Sequence, residues 1–117
     1  MPRPRKCRRV CRLPDCTVFV PKEGQNQETV TLRVDEYEAL RLIDYEGYSQ
    51  EQCSEYMGVA RTTVQQIYAE ARKKVAAMLV EGCRLQIRGG HYQLCGGGSP
   101  SCGCPRCQRK MKGENVV

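Results

Sequence analysis

The chain has 117 residues, a formal net charge of +6, and 6% aromatic residues with no Trp. This length allows one domain with tails and excludes a large active-site cleft. The positive charge favours a polyanionic partner such as nucleic acid. We recognise no nucleophile with a matching base and no phosphate-binding glycine loop, so the protein is not expected to be an enzyme.

The distribution of apolar residues argues against export and against membrane insertion. The longest apolar runs are too short to cross a bilayer, and no apolar stretch follows the basic N-terminus. A cytoplasmic protein without a membrane partner is therefore expected.

Residues 1–12 hold six basic residues and no acidic one, which predicts a basic arm separate from the body. Its Pro-Arg-Pro-Arg segment resists helix formation and could lie in a DNA minor groove. The alternative is a solvated charged surface. The candidate phosphate contacts in the arm are Arg3, Arg5, Lys6, Arg8 and Arg9.

The next segment predicts short strands followed by a helix. Residues 18–20 and 30–34 are rich in β-branched side chains and are separated by a polar loop. Asp35 with Glu38 has the spacing of a helix cap, which predicts a helix from there to about Glu46, ended by Gly47.

Ser49–Lys74 has the residue spacing of a helix-turn-helix. Ser49 and Gln52 predict a capping box, and Gly58 suits the sharp turn after a short helix ending at Met57. Apolar residues then recur at three- and four-residue intervals, which predicts a long amphipathic helix. Ala60 cannot cap this helix with its side chain. Five polar residues at its exposed start are the candidate base-reading set: Arg61, Thr62, Thr63, Gln65 and Gln66.

Arg72, Lys73 and Lys74, farther along the second helix, are further candidate phosphate contacts. The alternative for the whole segment is a helical hairpin with a solvated polar face. Because one such motif reads few base pairs, a homodimer on a palindromic site is expected. The helix end at residues 75–79 or a following hairpin could form its contact surface.

After Gly82, residues 84–88 and 91–94 flank Gly89 and Gly90, which predicts a β-hairpin with a two-residue turn. The expected fold is therefore mainly α. A three-helix helix-turn-helix domain with short flanking β-strands and a hairpin covers residues 13–94. It lies between the basic arm and a Cys-rich, basic tail at residues 95–117.

Nine cysteines without an export signal favour metal binding over disulfides. Cys95, Cys102, Cys104 and Cys107 could hold zinc through four thiolates. An iron–sulfur cluster, a thiol-reactive tail and dithiol redox chemistry remain open alternatives. Additional ligands could come from Cys7, Cys11, Cys16 and His91. Cys53 and Cys83 are expected to be small core residues instead.

The opening MPRPRKCRRV, the block from VTLRVDEYEALRLIDYEGYSQEQ to LVEG, and LQIRGGHY resemble a family of small proteins catalogued as domain of unknown function one-three-four. The resemblance covers about residues 1–94. Within it, Glu38–Lys74 is similar to region four of bacterial sigma factors. The resemblance implies a prokaryotic helix-turn-helix regulator with the base-reading set named above. The chain departs at Ala60, where Ser is usual, and its cysteine tail lies outside the shared core.

The sequence therefore predicts a sequence-specific DNA-binding protein, a transcriptional regulator acting on double-stranded DNA. Metal or redox state could be its input through the cysteine tail. The alternative is a protein-interaction module that docks to RNA polymerase or another factor without touching DNA.

Overall fold

The structure of the protein is a computed structural model that describes residues 8–24 and 27–94. The described residues form three α-helices, one π-helical turn and five short strands. In chain order these are β1 (Arg8–Val10), β2 (Val18–Phe19), β3 (Thr29–Leu32), α1 (Val34–Leu40), the π-helical turn (Arg41–Tyr45), α2 (Gln50–Met57), α3 (Arg61–Glu81), β4 (Arg84–Ile87) and β5 (Tyr92–Leu94). The expected combination of three helices with small strands is confirmed.

Helix α1 begins one residue earlier than its predicted capping signal. The Arg33 backbone N–H donates to Glu36 Oε1 at 2.8 Å, so Glu36 satisfies an amide at the helix start. The prediction that Asp35 caps this helix is wrong, because Asp35 lies inside the first turn and is fully buried. The π-helical turn extends α1, and Gly47 follows it with a φ of +84°.

The boundaries of α2 and α3 agree with the predicted signals. Gln52 N–H donates to Ser49 Oγ at 3.1 Å, and Ser49 N–H donates to Gln52 Oε1 at 2.9 Å, which confirms the capping box. Gly58 has the left-handed conformation, with φ +68° and ψ +36°, which a residue with a Cβ rarely adopts. Helix α3 then runs for 21 residues to Gly82.

The predicted hairpin at Gly89-Gly90 is wrong. Strand β4 lies between β2 and β3, antiparallel to β2 and parallel to β3, whereas β5 pairs in parallel with β1. Gly89 C=O accepts from Val34 N–H at 3.1 Å, and a Cβ on Gly90 would lie 2.5 Å from Asp35 Oδ1. The two glycines therefore let the chain pass closely over the start of α1 and reach β1.

The body of the protein begins before residue 13, the predicted start of the helix-turn-helix domain after a basic arm at residues 1–12. Strand β1 pairs with β5, Val10 is fully buried, and Cys11 N–H donates to Glu38 Oε2 at 2.7 Å. Arg8–Val10 are thus part of the packed body instead of a separate arm. Residues 1–7 lie outside the described residues.

In residues 8–24 and 27–94, two apolar clusters form the core. One joins the strands to the start of α1 and to α3, and it contains Val10, Leu32, Val34, Ala71, Leu85 and Ile87. The other joins α1, α2 and α3, and it contains Ala39, Leu42, Cys53, Met57, Val64 and Ile67. Helix α3 contributes residues to both clusters. Its packing in the core therefore determines which of its side chains face solvent. In the described part of the chain, no helix has the length and apolar character that crossing a bilayer requires.

Candidate nucleic-acid interface

The first two turns of α3 present polar side chains to solvent. Arg61, Thr62, Gln65 and Gln66 are exposed and Thr63 is half-buried. Between them, Val64 and Ile67 are buried against Cys53 and Met57 of α2. The five residues predicted to read bases therefore occupy one end of one helix, and α2 packs behind them.

The turn between α2 and α3 is held by local contacts. Val59 N–H donates to Ser54 C=O at 3.0 Å, and the buried Ser54 hydroxyl donates to Glu51 C=O at 2.6 Å. A guanidinium nitrogen of Arg9 lies 3.7 Å from the place of a Cβ on Gly58. Strand β1 thus brings a basic side chain to the outside of this turn.

The three basic residues predicted to contact phosphate from α3 differ in their surroundings. Lys73 is exposed. Arg72 is also exposed, but it lies 3.8 Å from Asp44 and stacks over the Tyr68 ring at 5.3 Å. Lys74 is largely covered, and its Nζ lies 2.7 Å from Glu36 Oε1. An intramolecular partner 38 residues away could not be read from the local pattern around Lys74.

Tyr68 links α3 to the π-helical turn. Its hydroxyl donates to Asp44 Oδ1 at 2.6 Å, and this hydrogen bond is the main reason that the pKa of Tyr68 is raised. Partial burial and the negative charge of Asp44 raise it further, while Arg72 opposes the shift. This contact fixes the side of α3 next to the predicted phosphate contacts.

Helix α1 and the π-helical turn also bury charged side chains. Asp35, Glu36 and Glu38 are almost fully covered, and Arg41 Nε lies 2.6 Å from Glu38 Oε1. Such pairs stabilise the fold only if both partners remain, because a single buried charge is costly. The acidic character of this segment therefore serves internal packing.

A cleft beside α3 contains an arginine that the sequence analysis missed. It has a volume of about 540 Å³ and is lined by Arg8, Arg33, Gln66, Ile67, Ala69 and Glu70. Arg8 and Gln66 were predicted to contact DNA, whereas Arg33 was not. Arg33 lies directly before the start of α1, and no sequence signal indicated that this residue would line a cleft. The residues that line it with Arg33 come from β1 and α3 and meet only in the folded chain.

The predicted metal ligands are only partly within the described residues. Cys95, Cys102, Cys104 and Cys107 lie outside them, as do Cys7 and the arm residues Arg3, Arg5 and Lys6. Cys11 is buried, whereas Cys16 and His91 are exposed. In the ranges that the structure covers, the one group of three potential metal ligands within 4.8 Å consists of Glu28, Glu81 and Cys83. It includes none of the predicted ligands.

Cys53 and Cys83 are buried, in agreement with their predicted core positions. Desolvation raises the pKa of the Cys53 thiol to about 12, with a smaller contribution from the negative charge of Glu38, while Arg41 lowers it. A thiol with so high a pKa is protonated at neutral pH and is a poor nucleophile and metal ligand.

The chain is similar to proteins from several bacteria. It is 53% identical over 115 residues to a UPF0251 protein of Desulfitobacterium hafniense, covering 95% of this chain and 92% of the relative. A UPF0251 protein of Caldicellulosiruptor bescii is 54% identical over 92 residues, covering 79% of this chain and 65% of the relative. A third, from Moorella thermoacetica, is 45% identical over 116 residues, covering 97% and 76%.

No solved structure matches the chain. The family model described as "Protein of unknown function DUF134" matches residues 1–95. On the strength of this match and of these relatives, the chain belongs to the DUF134 family, and the relatives described above are named UPF0251 proteins.

Proposed function

We propose that the protein binds double-stranded DNA in a sequence-specific manner and regulates transcription, with α2 and α3 as a helix-turn-helix similar to region four of sigma factors. The observation that carries the proposal is the polar start of α3, where Arg61, Gln65 and Gln66 are exposed while Val64 and Ile67 are buried. An α-helix with such a face fits the major groove, where arginine and glutamine side chains can discriminate bases.

The helix start supports phosphate binding as well. Ala60, the N-cap residue of α3, makes no side-chain cap hydrogen bond within the described ranges. The first amides of a helix need partners, and the helix dipole favours a negative charge at this end. A missing side-chain cap therefore leaves these amides for a DNA phosphate.

The charge of the chain agrees with this partner. The net charge is +6, and three of the carboxylates, those of Asp35, Glu36 and Glu38, are buried within α1. Each of these carboxylates lies within 3.9 Å of a basic group, so it offsets an internal positive charge instead of presenting an unpaired negative charge to an approaching polyanion. Phosphate contacts from Arg9, Arg72 and Lys73 would supply affinity, and α3 would supply sequence choice.

Two further parts of the proposal concern assembly and input. A homodimer would double the number of base pairs read. Leu79 and Val80 at the end of α3 are 70% and 84% exposed and offer a contact surface to a second copy. The cysteine tail would bind zinc or an iron–sulfur cluster and modulate DNA affinity.

Selection of bound fragments from bacterial genomic DNA should yield a preferred site, and binding constants can then be compared on this site and on random duplex. Arg61→Ala and Gln65→Ala should each lose about 1–3 kcal/mol on the preferred site and little on random duplex. Arg84→Ala is a matched control, because Arg84 is exposed on β4 and bonds to Gln27. Equal losses on both duplexes would contradict base reading by α3, and salt-independent binding would contradict the function itself.

A further inference from the structure

The cleft beside α3 joins two arginines from distant parts of the chain. Arg8 comes from β1 and Arg33 from the residue before α1, and both line the cleft together with Gln66 of α3. The Nε atoms of Arg8 and Arg33 lie 3.9 and 3.6 Å from the two carboxylate oxygens of Asp35. One buried carboxylate thus holds two guanidinium groups on the side of α3 that carries a predicted base-reading residue.

These guanidinium groups are held by charge and not by hydrogen bonds. Among the described residues, neither Nε atom has a hydrogen-bond partner, and neither do the two oxygens of Asp35. The Arg8 side chain is 17% exposed and that of Arg33 is 38% exposed, and both line the cleft, although Arg33 Nη2 also lies 3.4 Å from Glu36 Oε2. A guanidinium in this state can still donate a forked pair of hydrogen bonds to an oxyanion.

The local charge balance favours an anion. Glu36 lies 2.7 Å from Lys74 Nζ and 3.4 Å from Arg33 Nη2, so Asp35 and Glu36 together offset two of the three basic groups, Arg8, Arg33 and Lys74. The group therefore retains one positive charge at the base of the cleft. Among the described residues that line the cleft, Glu70 is the one acidic residue, and its negative charge at the opening opposes this positive charge.

We propose that Arg8 and Arg33 form a phosphate-binding pair that grips the DNA backbone next to the bases read by α3. The proposal rests on the proposed DNA binding and adds Arg33 to the contacts. Asp35 is the positioning residue, since it sets the spacing of the two guanidinium groups. A backbone contact adjacent to Gln66 would fix the register of α3 in the groove.

Salt dependence of duplex binding tests the pair directly. Each phosphate contact contributes about 0.9 to the slope of log affinity against log salt. Arg33→Ala should make the slope shallower by about that amount, on preferred and random duplex alike. Arg84→Ala removes the same charge outside the cleft and should leave the slope unchanged. Arg33→Lys should keep most of the slope, because it retains the charge.

A second variant at the same cleft is expected to increase DNA affinity instead of lowering it. Glu70→Gln removes the acidic group from the opening without changing its size, so affinity for any duplex should rise, by roughly threefold at low salt. The exposed position of Glu70 makes a folding defect an unsuitable explanation for this result. Circular dichroism on each variant, at a temperature where it is folded, accompanies the titrations.

The outcomes separate this pair from the wider function. If the unaltered protein binds duplex with salt dependence while Arg33→Ala and Arg84→Ala change the slope equally, the pair does not contact phosphate and the DNA-binding proposal stands. If Glu70→Gln leaves affinity unchanged, the cleft is not at the backbone. If the unaltered protein binds no duplex, both proposals are wrong.

Discussion

The two sides of α1 are built on different principles. Toward α2 and α3, Ala39 packs with Met57 and Ile67 in an apolar cluster whose members recur at helical spacing within each helix. Toward β1 and the glycines before β5, Asp35 contacts Arg8 and Arg33 in a buried ionic group. The buried positions of the apolar side follow from a spacing within each helix, whereas two partners on the ionic side, Arg8 and Lys74, come from segments distant from α1 in the chain. A periodic pattern therefore identifies helices, but it does not identify the partners of buried charges.

The largest effect should come from breaking a buried charge pair on the ionic side. Glu38→Gln removes the negative charge that faces Arg41 Nε at 2.6 Å and weakens acceptance from Cys11 N–H. Because Glu46 Oε1 still lies 4.0 Å from Arg41 Nη1, losing the Glu38 charge should cost up to about 3–5 kcal/mol of unfolding free energy. Chemical denaturation measures the loss.

Asp15→Asn is the control for Glu38→Gln, because the Arg12–Asp15 pair at 3.3 Å is highly exposed. Exposed ion pairs contribute little, so this variant should unfold at nearly the same denaturant concentration as the unaltered protein. Similar losses in the two variants would mean that burial does not distinguish these pairs.

A smaller loss should follow from adding one carbon atom at Gly90. Its φ is +91°, and a Cβ there would lie 2.5 Å from Asp35 Oδ1, so Gly90→Ala adds a clash to backbone strain. We expect a loss of roughly 2–4 kcal/mol in unfolding free energy. Thermal and denaturant unfolding measure it.

Gly24→Ala separates the clash from the strain. Gly24 has a similar φ of +96°, but a Cβ there meets no atom of the described residues within 4 Å. This variant should lose only about 1 kcal/mol. If Gly90→Ala loses no more than Gly24→Ala, the close approach to Asp35 does not constrain the chain.

The cysteine tail provides a test of input that is independent of both sides of α1. Cys104→Ser with Cys107→Ser should abolish one bound metal per chain and change affinity for the preferred duplex by about 1–3 kcal/mol. Metal and labile-sulfide analysis of protein purified without oxidants or chelators measures loading. Unaltered metal content in the double variant would mean that Cys104 and Cys107 do not bind the metal. Unchanged DNA affinity despite metal loss would mean that the metal does not regulate DNA binding.

Much of the α2–α3 region could be predicted because its signals are local. Ser49 and Gln52 are three residues apart, and Gly58 takes the left-handed conformation at the end of α2. The pairing of β5 with β1 could not be predicted in this way, because Arg8 and Tyr92 are brought together by the whole fold. Gly89-Gly90 also has the same local signal as a hairpin turn, and only its contact with the start of α1 decides between them.

The candidate site shows the same division. The exposed and buried positions at the start of α3 follow from helical periodicity, so the predicted base-reading residues share an exposed end of the helix. The pairing of Lys74 with Glu36 and the position of Arg33 in the cleft depend on contacts between distant segments. Residue charge alone therefore identified candidate phosphate contacts, but it did not show which of these residues already have an ion-pair partner in the fold.

The burial of Cys53 in the apolar cluster can be tested through the titration of its thiol. Burial raises the pKa of this thiol from 9.0 to about 12, and nearby Glu38 adds to the shift. Above pH 9 the unfolded thiol loses its proton while the folded one keeps it, so its contribution to stability is present below pH 9 and is lost as the pH rises toward 12. Between pH 8 and pH 10 this should lower the unfolding free energy by about 1 kcal/mol.

Other groups titrate in the same range, so the measurement is the difference between the unaltered protein and Cys53→Val at each pH. Valine is close to cysteine in size and has no proton to lose, and the difference should therefore shift by about 1 kcal/mol in favour of the variant at pH 10. Thiol labelling gives an independent check, because exposed Cys16 should react at pH 8 while Cys53 stays protected until the protein unfolds. A constant difference across this pH range, with rapid labelling of Cys53, would mean that the apolar cluster does not exclude water from the thiol.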